Sequence, residues 1–177
     1  MFSLLLASLV VTGGFEAGGR IGVAFPASGL ENSHAAPALF GINLCYGSGQ
    51  NRLLLDYGYC GLQAKQASPY RFDVHEVSAG YGREFIVGRS DAGSNWGFEA
   101  SGAAGLGLLS RVLVSARETG KAPAGHVGAG FYQRQGRSRL SLGLDNIVFF
   151  ESQSGGSTRT LSLTYFIALK GGVTYVF

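Results

Sequence analysis

Apolar and polar positions alternate along most of this chain with a period of two, not 3.6. That predicts strands with one apolar face rather than amphipathic helices. Eight such segments can be read. Phe15–Phe25 sets Phe15, Ala17, Gly19, Ile21, Val23 and Phe25 against Glu16, Gly18, Arg20, Gly22 and Ala24. Ala38–Gly47 sets Phe40, Ile42, Leu44 and Tyr46 against Leu39, Gly41, Asn43 and Cys45. Arg52–Leu62, His75–Val87, Trp96–Arg111, Ala124–Arg134 and Arg139–Phe150 repeat the pattern, and Leu161–Phe177 carries it to a final aromatic residue. Two residues break the phase. Arg83 falls on the apolar face of its segment, which suggests a strand end, a bulge or a snorkelling side chain. Asn146 falls on the apolar face of the seventh.

The links alternate between long, such as PASGLENSHAAP, QAKQASPYR and VLVSARETGKAP, and short, such as SGQN and QGRS. An even number of strands joined in this way predicts an all-β fold, an eight-stranded antiparallel up-and-down transmembrane β-barrel over residues 15–177. Short turns and both termini are expected on the periplasmic side, and long loops outside. Residues 1–14, MFSLLLASLVVTGG, read as a signal-peptide-like segment, although basic residues and an A-x-A-like cleavage site are missing.

The second face decides between a membrane barrel and a soluble one, which would put its polar face in water. It is rich in Gly, Ala and Ser, with spaced charges of both signs: Glu16, Arg20, Arg52, Asp56, Glu76, Glu99, Arg139, Asp145 and Lys170. Small residues suit the narrow interior of eight strands, and these charges are expected to pair across the lumen and plug it, because an unpaired buried charge is too costly. Phe25, Phe40, Tyr46, Tyr59, Trp96, Phe150, Tyr175 and Phe177 stand near strand ends on the apolar face, where interfacial girdles are expected. Composition agrees. The chain has 29 Gly, 4 Pro, 46% hydrophobic and 14% charged residues, which excludes disorder and a collagen-like repeat. No apolar run is long enough for a spanning helix. The net charge of +3 is too small and scattered to argue for nucleic acid.

The ending KGGVTYVF looks like the C-terminal assembly signal of bacterial outer-membrane barrels, with Lys170, Gly172, Tyr175 and Phe177 in its slots. The chain is similar to small eight-stranded outer-membrane proteins of the OmpA/OmpX type and, more loosely, to the lipid A deacylase barrels. The first resemblance implies an integral outer-membrane protein, monomeric, with a structural or surface-interaction role, whose last strand is read by the barrel-assembly machinery. Its partners would be outer-membrane lipid and lipopolysaccharide. Lys65, Arg71, Arg111, Arg117, Lys121 and Arg159 lie in or beside the expected outer loops, where lipopolysaccharide phosphates would attract them; ordinary solvated loop charge is the alternative. The competing functions are a lipid A-modifying enzyme with its site on the outer wall, and a narrow channel or conduit for hydrophobic molecules.

Candidate chemistry is sparse, and no cofactor or metal site is expected. In the register that SGQN imposes, Gly47 pairs with Arg52, Cys45 with Leu54 and Leu39 with Cys60. The two cysteines then lie on the order of 20 Å apart along the strands, beyond disulfide reach, so free buried thiols are expected. The deacylase barrels carry a His-x-Ser pair, but the matching stretch LDNIVFFESQS has no histidine. His126 reads as a lumen residue hydrogen-bonded to its neighbours, His75 beside Glu76 as a solvated strand end, and His34 as a loop residue.

Overall fold

The computed structural model describes residues 14–27, 32, 34–65, 71–90, 93–112, 117–155 and 158–177, with the side chains of 111–118 and 151–162 outside that description. The signal-peptide-like segment therefore lies, apart from Gly14, outside the described residues. Eight strands follow one another: β1 (Gly14–Ala27), β2 (Ala38–Ser48), β3 (Asn51–Gln63), β4 (Arg71–Arg89), β5 (Ser94–Val112), β6 (Arg117–Gln135), β7 (Ser138–Gly155) and β8 (Thr158–Val176). Each pairs antiparallel with the next, and β1 pairs with β8 to close the barrel. Closure leaves no sheet edge, which hydrocarbon could not satisfy. At the end holding Gly14 and Phe177 the connections are tight. Gly49 and Gly136 open two-residue turns at φ 61° and 57°, a left-handed conformation that glycine adopts without steric cost. The expected pairs Gly47–Arg52, Cys45–Leu54 and Leu39–Cys60 are all present.

Face assignment follows the alternation on every strand. The outward residues form an apolar belt in which Ile21 and Val127 are each 66% exposed, with Ile42, Leu106 and Leu142 close behind. Such a surface faces lipid, not water. Aromatic side chains flank it, with Phe15, Tyr46, Phe85, Trp96, Phe98 and Phe131 toward the turn end and Phe25, Phe40, Tyr57 and Phe150 toward the other. Arg83 does sit on this outer wall, its guanidinium 5.7 Å from the Phe85 ring. The bulge comes a few residues later, where the β4–β5 register shifts between Ile86 and Gly88. Asn146 also faces outward, and the Tyr165 hydroxyl donates to its side-chain oxygen.

Two expectations are corrected. The stretches expected as outer connections, the long VLVSARETGKAP and the medium-length ESQSGGSTR, are largely strand among the described residues, since pairing continues to Val112–Arg117 and Gly155–Thr158. Several strands reach 19 residues, about twice what hydrocarbon needs. Beyond the lipid no apolar face is required, so the alternation fades while backbone pairing persists. The second correction concerns the lumen, which is charged in only one half. Toward the long-loop end its inward residues are mostly apolar, with Glu76 and Thr164 as buried polar exceptions: Leu39, Leu62, Phe72, Val74, Leu109, Ile147, Phe149 and Phe166 form one buried cluster. The plug is therefore mainly hydrocarbon packing, with Leu62 at 0% and Phe149 and Phe166 at 1% exposure. The Phe149 and Phe166 rings meet edge to face. Gly107 faces them, where a Cβ would lie 2.4 Å from the Phe149 ring.

Candidate functional site

Three regions carry polar chemistry. In the turn-end half of the lumen, Arg52 lies between two carboxylates. Its Nη1 donates to Glu84 Oε1 at 2.6 Å and its Nη2 pairs with Glu16. Arg134 Nη2 reaches Glu16 Oε1 at 2.7 Å and Glu84 at 3.5 Å. Arg139 Nε stands 3.3 Å from Glu84, its Nη2 pairs with Glu99, and its guanidinium lies over the Tyr132 ring at 4.9 Å. One step toward the apolar plug, Arg20 pairs with Asp56 at 3.2 Å and Lys170 with Asp145. Eight of the nine expected lumen charges thus have an opposite charge beside them. Glu76 also points inward and is buried, but its Oε1 has no hydrogen-bond partner. The sequence reading omitted Glu84 and Arg134 from this network. The inward parity of Glu84 on its strand was the available signal.

His126 is in the lumen as expected, but not hydrogen-bonded as expected. Its Nδ1 is 3.7 Å from Asp145 and its Nε2 4.0 Å from Asp56, outside hydrogen-bond range, and neither nitrogen has another partner. Asp145 is drawn toward Lys170 and Asp56 toward Arg20, which holds both carboxylates off the ring. A polar cavity of about 70 Å³ among Arg20, Asn43, Cys45, Arg52 and Asp56 holds at most a few waters. The cysteines are free and buried as expected, Cys45 beside this cavity and Cys60 in the apolar cluster.

The outer rim carries the basic residues expected near the loops. Arg71 begins β4, half exposed, and its Nε donates to Asp73 at 2.7 Å. That bond, and a second to the Tyr59 hydroxyl, raise the Arg71 guanidinium above its ordinary range. Lys65 is exposed just past β3, and Lys121 is exposed on β6 rather than in a loop. Arg111, Arg117 and Arg159 also stand on strands, β5, β6 and β8, with their side chains outside the described residues. His34 bridges to Ala64 beside the end of β3.

The third region was not anticipated. His75 lies within β4 and points out of the barrel, on the opposite face from Glu76, so the two cannot act as a pair. Its Nδ1 is 2.8 Å from the Tyr57 hydroxyl, and its ring packs on Tyr59 with centroids 4.8 Å apart. Grooves of about 420 Å³ and about 300 Å³ flank this ridge on the outer wall. Among the described residues, no cluster of His, Cys, Asp and Glu could hold a metal ion.

No protein-family profile and no curated protein matches this sequence. Solved structures do. Neisserial surface protein A superposes with a TM-score of 0.70 at 16% identity, over 92% of this chain and 97% of that one. Ail, the attachment invasion locus protein of Yersinia pestis, gives 0.52 at 12% identity, over 93% and 97%. The N-terminal β-barrel domain of Pseudomonas aeruginosa OprF gives 0.50 at 15% identity, over 94% and 100%. At these identities the likeness is one of fold. A closed barrel with a lipid-facing belt, in the fold of the small eight-stranded outer-membrane proteins, makes this chain an integral β-barrel of a bacterial outer membrane.

Proposed function

We propose that the protein has a structural or surface-interaction role in the outer membrane, with its outer rim as the working surface. One observation carries this reading: the apolar cluster from Leu39 to Phe166 fills the outer half of the lumen. A lumen packed in this way serves no solute, and what is left to present is the rim that β4 to β8 raise beyond the lipid. The name of Ail speaks of attachment and invasion, a role of the same kind. The basic residues Lys65, Arg71, Arg111, Arg117, Lys121 and Arg159 suit the phosphates of neighbouring lipopolysaccharide. Lys170, Gly172, Tyr175 and Phe177 serve as the assembly signal, and the barrel works as a monomer.

The test is reconstitution into liposomes together with display on cells. The barrel is expected to shift in gel mobility on boiling, to raise no conductance, and to change cell-surface properties such as adherence when expressed. Conductance well above that of empty liposomes, from a fully folded preparation, would refute the reading in favour of a channel.

A further inference from the structure

A row of outward-facing residues crosses three strands at the outer edge of the apolar belt: His75 pairs with Leu108, and Leu108 pairs with Lys121. Below it, on the same strands, lies the aromatic row Phe85, Phe98 and Phe131, itself in register. The two rows are separated by about 10 residues of strand, the length that crosses hydrocarbon. With the aromatic row at the inner interface, the upper row stands at the level of the outer-leaflet headgroups. His75 and Lys121 are two strand spacings apart, about 10 Å, with Leu108 alone between them.

The wall between these residues is shaped. A groove of about 300 Å³ runs over Val77, Leu106 and Leu108, and its upper edge carries Ser110 and Thr119, whose hydroxyls bond each other at 3.1 Å. His75 lines the groove on one side. The Tyr57 hydroxyl, 2.8 Å from Nδ1, fixes the ring. With Tyr57 donating, the ring proton sits on Nε2, where it is a donor for an anion. The carboxylate in the next row up, Asp73, is occupied by Arg71 and by the Tyr59 hydroxyl at 3.2 Å. It therefore leaves little uncompensated negative charge to repel an anion at His75.

We infer that this wall binds one lipopolysaccharide molecule through its lipid A moiety. A phosphate is held between His75 and Lys121, and an acyl chain lies in the groove over Leu106 and Val77. The phosphate answers the two donors, and the chain answers the apolar floor. The inference rests on the outer-membrane reading above. It differs from general attraction at the rim in naming a single site, one that includes a histidine and a tyrosine.

The experiment is native mass spectrometry of the full folded barrel released from detergent, after incubation with lipid A, with dephosphorylated lipid A, or with phosphatidylglycerol. The wild type is expected to retain one lipid A and to retain the dephosphorylated form several-fold less. K121Q is expected to lower lipid A retention about fivefold, since a basic residue at a lipid surface contributes about that factor, and H75Q, which removes the Nε2 donor that Tyr57 positions, is expected to lower it several-fold. R89Q, at the opposite end of β4, is expected to leave retention unchanged. Equal retention by H75Q, K121Q and wild type would overturn the site. Equal retention of phosphatidylglycerol would overturn lipopolysaccharide as the occupant, and equal retention of dephosphorylated lipid A would overturn the phosphate contact. A gel-mobility shift on boiling, run on every sample, separates these failures from failure of the barrel reading, in which no shift would be seen for any protein.

Discussion

Replacing Arg52 with Met removes the cation at the centre of the lumen network while keeping an unbranched stem of similar length. Arg52 is 3% exposed and pairs with both Glu16 and Glu84. Removing one partner of a buried ion pair costs about 3–5 kcal/mol, because the remaining charge is left uncompensated. Here neither carboxylate is abandoned. Glu16 keeps Arg134 at 2.7 Å, and Glu84 keeps Arg139 at 3.3 Å. The expected loss therefore lies near the lower end, about 3 kcal/mol. Neutralising one of the two acids in the same chain, as R52M/E16Q, removes part of the excess negative charge and is expected to recover about half of that loss. The assay is urea unfolding in phosphatidylcholine vesicles, followed by the fluorescence of the single tryptophan, Trp96. The m-value should not change, since the surface exposed on unfolding is the same. An R52M barrel that folds fully and loses less than about 1 kcal/mol would refute the reasoning. It would mean that this layer is hydrated well enough to screen its charges.

Other outcomes follow from the same geometry. F149A should cost about 3–5 kcal/mol in the same urea assay, because the ring is 1% exposed and packs edge to face on Phe166 within the buried cluster. G107A should destabilise the barrel by about 1–3 kcal/mol through its collision with the Phe149 ring, and G107A/F149A should lose less than the sum of the two single changes. Cys45 and Cys60 should resist a bulky maleimide in the folded barrel and both react after boiling, with the same gel mobility with or without reductant. Truncating the terminal ring, as F177S, should slow assembly in cells, read as accumulation of the form that does not shift on heating, while leaving the refolded barrel's unfolding free energy within about 1 kcal/mol of wild type.

Much of the architecture is legible in the sequence because a strand's faces are set by a local rule. Successive side chains point to opposite sides, so Glu16, Arg20, Arg52 and Asp56 declare themselves inward as soon as their strands are recognised. The turn SGQN fixes the β2–β3 register, which fixes the separation of Cys45 and Cys60. The apolar plug was harder to read. In Ile147-Val148-Phe149-Phe150 both faces are apolar, so the alternation vanishes just where the lumen changes character. The strand ends Arg71, Arg117 and Thr158 were likewise hidden, because a strand in water keeps its backbone bonds without keeping a two-residue pattern.

By itself, then, the sequence determined the strand count, the face of each residue, the register across the short turn SGQN and the membrane environment, all of which follow from local period and turn chemistry. Only the tertiary structure decided which charges meet. Arg52 on β3 finds Glu16 on β1 and Glu84 on β4, while His126 on β6 lies between Asp56 on β3 and Asp145 on β7. It likewise set His75, Leu108 and Lys121 in one row on the outer wall. These meetings depend on how far each strand slides past the next before the barrel closes. That stagger accumulates around eight strands, and no single segment records it.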